Sequence, residues 1–174
     1  MLTKAYIKRI FPELTLIKSK SLMTTIVKIW LLASRRGNWQ KIDDIPFTLL
    51  IPTSTSLIEH TRRVTHMAIS VAKTRKKLKM DILIAGAITH DVGKLLEYER
   101  IGKNIVKSKS GVRHPVSGYR LAIEVGLPHK VAHIILTHSH EGDKIARTQE
   151  AIVVHHCDFI DFEIEKRATG CRIL

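Results

Sequence analysis

Cysteine is scarce: Cys157 and Cys171 are the only two, and no CxxC spacing pairs them. A disulfide framework is therefore excluded, and both read as free thiols of a reducing compartment. Aromatic residues make up only 5% of the chain, which weakens base stacking as a way of holding single-stranded nucleic acid. No run approaches the roughly 18 apolar residues expected of a membrane span. The most apolar early stretch, residues 22–34, is interrupted by Lys28 and begins too late for a signal peptide. A cytoplasmic address without a transmembrane segment is the expectation. Internal repeats and low-complexity tracts are missing as well. Acid is in short supply: 16 Asp and Glu face 29 Lys and Arg, for a formal net charge of +13 and a pI near 10.0. That excess favours a polyanionic partner, whether nucleic acid, an anionic membrane surface or a phosphorylated substrate. The charge does not choose among them.

What is present suffices for one domain with a sizeable core, at 174 residues. Residues 1–50 differ from the rest, with net charge +6. Within them Leu22, Ile26, Ile29, Trp30 and Leu32 recur at helical spacing, and Gly37-Asn38 stops that helix. Such a segment either docks on its own domain or offers an amphipathic face to a partner or an anionic surface. Docking is the favoured reading, giving a basic helical extension over 1–50 and a main body over 51–174. Pro46 and Pro52 mark the connection.

Ser56 and Glu59 have the spacing of a capping box. They open a helix expected to reach about residue 79, with Leu57, Val64, Ala68 and Val71 inward and His60 on the same face. Asp81 is placed to cap the next helix, over 82–92, which is apolar nearly all round and so should be central. It closes on His90-Asp91, followed by Gly93 and Lys94. Burying either ligand-type side chain alone is costly, and imidazole with carboxylate suits a divalent first-row metal. Residues 101–112 read as a loop carrying Lys103, Lys107 and Lys109, either a basic flap that meets phosphate or a solvated connection.

His114-Pro115 starts another helix, with His114 at its cap, and Gly126 ends it. Pro128 begins the next. There Val131, Ile134, Ile135 and His138 fall on one face, and His140 follows just beyond. Thr148 begins a last helix on which Ala151, Val154, Asp158 and Phe162 share a stripe. An aspartate there needs a cation or donors. His155, one turn earlier, could bind metal or support a ligand.

Alone, each histidine is weak evidence. Together His60, His90-Asp91, His114, His138 and Asp158 sit on successive helices, and a bundle can converge such residues on one point. The order H…HD…H…H…D, with His-Asp-Val-Gly-Lys at its centre, resembles the HD-domain superfamily of metal-dependent phosphohydrolases over residues 56–162. Glu59-His60-Thr61-Arg62-Arg63-Val64, His114-Pro115 with Gly118, and Thr137-His138-Ser139-His140-Glu141-Gly142 are similar to further elements of that family.

The resemblance implies an all-α bundle of five or more core helices. It implies a first metal at His60, His90, Asp91 and Asp158. A second would lie at His114 and at His138, His140 or both, with Asp91 bridging. Many two-metal members carry adjacent histidines where this chain reads His138-Ser139-His140. The expected ions are manganese, iron, nickel, cobalt or zinc, with magnesium less suited to a histidine-rich position. The implied reaction is hydrolysis of a phosphomonoester or phosphodiester, in the first place of a nucleotide, by a metal-activated water. Asp91, Lys94 and Asp158 are the candidate catalytic residues, and Lys94, Lys103, Lys107 and Lys109 the candidate phosphate contacts. Gly118-Tyr119-Arg120 is not the full motif of the cyclic-dinucleotide phosphodiesterase subgroup. A non-catalytic nucleotide-binding module and a nuclease or nucleic-acid-processing domain are the alternatives.

Overall fold

A computed structural model describes residues 2–109 and 111–170. Among the described residues the regular structure is helical apart from one small hairpin. In chain order the elements are α1 (Lys4–Ile10), α2 (Lys20–Arg36), α3 (Leu57–Lys73), α4 (Met80–Thr89), α5 (Lys94–Glu97), β1 (Tyr98–Ile101), β2 (Asn104–Lys107), α6 (His114–Val125), α7 (His129–Thr137) and α8 (Gln149–Ala168). A 3-10 turn, Pro12–Leu16, links α1 to α2, and another, His140–Gly142, follows α7. Among the described residues no helix is long and apolar enough to cross a membrane.

Helix starts follow the side-chain chemistry of their first turns. Ser56 Oγ accepts from Glu59 N, and the Glu59 carboxylate accepts in return from Ser56 N at 2.8 Å. These bonds satisfy amides that the helix itself leaves free. Thr148 caps α8 in the same way, accepting from Ala151 N. The C-terminal stops are equally local. Gly126 takes a left-handed φ of 81° after α6, and Asn38 one of 57° after α2, conformations that glycine and asparagine adopt at low cost.

Several boundaries differ from the sequence reading. Helix α3 ends at Lys73 rather than near residue 79, and Val71 is 40% exposed rather than inward. The basic run after it, 75–79, forms turns. Asp81 does not cap α4, whose capping residue Lys79 offers no side-chain bond. Instead the Asp81 carboxylate accepts from Lys18 N and Ser19 N at the start of α2. His114 is the first residue of α6, and Arg113 holds the capping position. Residues 101–112 are not a loop throughout: β1 and β2 pair antiparallel with Tyr98 opposite Lys107 and Ile101 opposite Asn104. Gly102 at φ 60° makes the tight reversal. Lys103 stands exposed on that turn, and Lys109 is exposed beyond the strand.

Helix α4 lies in the middle, as its apolar circumference requires. Residues Leu83 to Thr89 are all buried, and α4 packs against α2, α3, α7 and α8. The first helices share this core. Ile7, Phe11, Ile26 and Trp30 belong to the same apolar cluster as Ile84, Ile88, Val92 and Ile135. Trp30 is fully buried and donates its indole N–H to Ile88 O at 3.2 Å. Trp39 donates likewise to Leu95 O at 2.7 Å. Arg36 adds a bidentate bond to Glu124, but both side chains are nearly half exposed, so this pair contributes little.

Cys157 is a buried free thiol, and Cys171 lies outside the described residues. Burial, reinforced by the charge of Asp158, pushes the Cys157 thiol up to about 11. The thiolate is the reactive form, so Cys157 should resist iodoacetamide even at pH 9, where an ordinary thiol reacts readily. Peptide mapping after timed alkylation measures this. Labelling of Cys157 at the rate of a free thiol in the folded protein would contradict it.

Candidate metal centre

His90 and Asp91 follow directly on the last residue of α4. The chain then turns through Gly93 into α5. A Cβ on Gly93 would strike the carbonyl of His114 and come within 2.8 Å of Gly118 N. That close approach lets the first turn of α6 press on the turn bearing Asp91, and glycine at both 93 and 118 allows it. Helix α7 brings His138 from the next position in space, and α3 and α8 bring His60 and Asp158 from the other side.

The result is two clusters joined at one residue. His60, His90, Asp91 and Asp158 each offer a ligand atom, all mutually within 4.8 Å, and so do Asp91, His114 and His138. His60 Nε2 is 3.3 Å from His90 Nε2, 3.0 Å from Asp158 Oδ1 and 3.5 Å from Asp91 Oδ2. Across Asp91, His114 Nε2 is 3.2 Å from His138 Nε2, and the two lie 3.3 and 3.4 Å from Asp91 Oδ1. The histidines are buried.

The other ring nitrogen of each of these four histidines is engaged. His60 Nδ1 donates to Asp161 at 2.8 Å, and His90 Nδ1 to Ala87 O at 2.7 Å. His114 Nδ1 donates to Glu97 at 2.6 Å, and His138 Nδ1 to Ile135 O at 2.8 Å. A neutral imidazole with its proton on Nδ1 presents a lone pair at Nε2. Two such lone pairs at 3.2 Å cannot bond to each other, and a neighbouring carboxylate oxygen gives them no proton. Asp91 Oδ1 is buried and has no hydrogen-bond partner. Orphaned acceptors facing one another fit a shared cation, which this donor set suits by type. The residues present therefore fit one or two divalent ions, with Asp91 between the two positions.

Charge at the centre follows the same geometry. Burial opposes ionisation of Asp91, yet the nearby Lys94 and His90 hold its carboxyl well below the usual range. Asp158 is likewise lowered: burial is overcome by hydrogen bonding to His60 and by the histidine charges. Burial pushes His114 down to about 4, only partly offset by Glu97, so it is neutral and ready to ligate near pH 7. His60 shifts the other way: burial opposes protonation but Asp158 and Asp161 outweigh it. Lys94 stays charged although buried, because Asp91 offsets the loss of water. Its Nζ donates to Asp91 Oδ2 at 2.6 Å and to Phe47 O at 2.5 Å. That leaves Oδ1 as the free oxygen.

The clusters open into a cavity of about 250 Å³ whose wall includes Phe47, Lys94, Lys107, Arg113, Asp158 and Phe162. A larger concavity, about 660 Å³, lies between the end of α3 and α8. It has none of the converging ligands, so chemistry rather than size selects the smaller one. Of the lysines proposed for phosphate, Lys94 and Lys107 line this wall, while Lys103 and Lys109 do not. His140 also reaches the wall, but its ring is exposed, bonds Asp143 at 3.1 Å and packs on Phe159. It belongs to neither cluster. His155 donates from Nδ1 to His138 O at 2.6 Å, and Arg147 bonds Thr137 O and Ser139 O. Together they pin the strap that carries His138.

Sequence reasoning missed Glu97, Asp161 and Phe47. Asp161 has a signal in hindsight, one turn after Asp158 on the same helix. Glu97 sits in a Leu-Leu-Glu-Tyr run that looks like ordinary surface. Phe47 stacks on His60 with centroids 4.5 Å apart, and nothing in its neighbourhood announces this.

A helical bundle that gathers four histidines and two aspartates around one buried point defines a class of metal-binding protein. The HD-domain family model matches residues 57–163, more than half of the chain, and the chain belongs to that family. Its members form a superfamily of metal-dependent phosphohydrolases. No curated protein and no solved structure matches significantly.

Proposed function

We propose that this chain is a metal-dependent phosphohydrolase that cleaves a phosphomonoester or phosphodiester of a small substrate, in the first place a nucleotide. The convergence of four imidazole Nε2 atoms with Asp91 and Asp158, beside a cavity that His114 and Asp158 line, carries this reading. When bound, divalent ions supply Lewis acidity and make water a usable nucleophile at neutral pH. The chain supplies the rest. His60, His90, Asp91 and Asp158 hold one ion position, and Asp91, His114 and His138 the other. Lys94 orients Asp91 by taking Oδ2, and its remaining N–H is free for a phosphoryl oxygen. Asp158 is the least buried ligand and orients the attacking water. Arg113 and Lys107 at the cavity wall draw the phosphate in, and Lys103 and Lys109 act on its approach. Water oxygen bonds to phosphorus, the ester P–O bond breaks, and the alcohol leaves with a proton.

A cavity of about 250 Å³ suits a small molecule better than a polymer. The test is phosphate or alcohol release from a panel of nucleotides, p-nitrophenyl phosphate and bis-p-nitrophenyl phosphate, with manganese, iron, cobalt, nickel, zinc or magnesium. Release that requires metal and stops on chelation is expected. Tight nucleotide binding without product under every ion would overturn catalysis and leave a regulatory module.

A further inference from the structure

We infer that Glu97 and Asp161 are matched positioning residues, each setting the affinity of one ion position through the Nδ1–H of a single histidine. This rests on the two-position reading above.

Each position has one imidazole backed by a backbone carbonyl and one backed by a carboxylate. His90 and His138 lean on Ala87 O and Ile135 O. His60 leans on Asp161, and His114 on Glu97. A charged acceptor polarises the imidazole more than a carbonyl does and raises the donor strength of the opposite nitrogen.

Both carboxylates are buried, at 6% for Glu97 and 7% for Asp161, and neither is among the ligand groups. Glu97 Oε2 accepts from His114 N at 2.8 Å as well as from the ring, and Arg113 bonds Oε1. So Glu97 fixes the ring, its backbone and the tautomer at once. Burial opposes its ionisation, but hydrogen bonds from the His114 ring and backbone N–H, with the charge of Arg113, hold it below the ordinary range. Asp161 reaches His60 through Oδ2, and its other oxygen lies 3.8 Å from Arg63. The two supports come from unconnected elements, α5 and α8, so they act on the two positions separately.

Cobalt(II) titration of protein stripped of metal, followed by its visible absorption and by metal analysis, tests this. Glu97→Gln and Asp161→Asn keep an oxygen acceptor of equal reach and remove the charge. The parent protein should take two equivalents. Glu97→Gln should weaken one of them about 10- to 100-fold and leave the other within about twofold. Asp161→Asn should do the converse. Adding Glu97→Gln to His114→Ala should cost nothing further, whereas adding Asp161→Asn should. If either neutral variant folds poorly, Glu97→Asp or Asp161→Glu keeps the charge, breaks the reach and should weaken the same equivalent. Two equivalents at parental affinity in both variants would overturn the inference, as would loss of the same equivalent in both. A parent that takes fewer than two equivalents would instead overturn the two-position reading, and this inference with it.

Discussion

Asp91→Asn should abolish hydrolysis and reduce binding at both ion positions together. Asp91 is the one residue common to the two ligand groups, so no other single change reaches both. Losing a shared anionic ligand forfeits several kcal/mol of charge stabilisation. At about 1.4 kcal/mol per tenfold, the expected loss in rate is on the order of 10³-fold or more. A second effect comes with the first. Lys94 is 7% exposed, and without Asp91 it loses its paired carboxylate and keeps one hydrogen bond, to Phe47 O, among the described residues. Breaking one partner of a buried pair costs about 3–5 kcal/mol, so metal-free Asp91→Asn should melt well below the parent. Asp91→Asn with Lys94→Met removes both charges and should recover most of that stability while staying inactive. Calorimetry beside metal analysis separates the two effects. Retention of both metal equivalents by Asp91→Asn would refute the shared position.

The second large effect lies far from the chemistry. Trp30→Ala should destabilise the protein by about 3–5 kcal/mol, the usual cost of truncating a buried aromatic. For a chain of this size that lowers the melting temperature by roughly 6–20 °C. Trp30 is fully buried, packs on Phe11 with centroids 4.8 Å apart and bonds Ile88 O. Ile88 lies two residues before His90, so the indole supports the end of the helix that delivers His90 and Asp91, candidate metal ligands. Removing residues 1–50 should therefore give an unfolded or aggregated product rather than a smaller stable domain, because it strips one wall from α4. A truncated protein with native-like melting and full metal content would show that the extension is dispensable.

Much of this arrangement was legible in the chain. Alternation with a period near 3.6 located the helices, and the capping box at Ser56 located the start of α3. The inward run ending in His90-Asp91 marked the buried helix, because an apolar circumference can lie only at the centre. The candidate ligands could be read because His60, Asp91, His138 and Asp158 lie on apolar faces where an unpartnered polar group is costly, and His114 because Pro115 marks a helix start. What escaped depends on tertiary contact. The β1–β2 hairpin is short and half-polar, and Gly102 beside Lys103 resembles any solvated connection. Asp81 looked like a helix cap, but its acceptors are used by amides more than sixty residues away. Glu97 and Asp161 support ligands from behind, and no local periodicity records a partner 17 or 101 positions distant.

His90 and His138 share a device whose consequence reaches beyond geometry. Each directly follows the last residue of a helix and bonds the carbonyl three residues back, a group every helix end leaves hungry. Finishing the helix and aiming the imidazole are thus a single event, completed as the backbone folds. An arriving ion would meet these two rings already turned toward it, so capture would demand little rearrangement there. The negative poles of α4 and α7 lie at the same ends, which would favour a cation there.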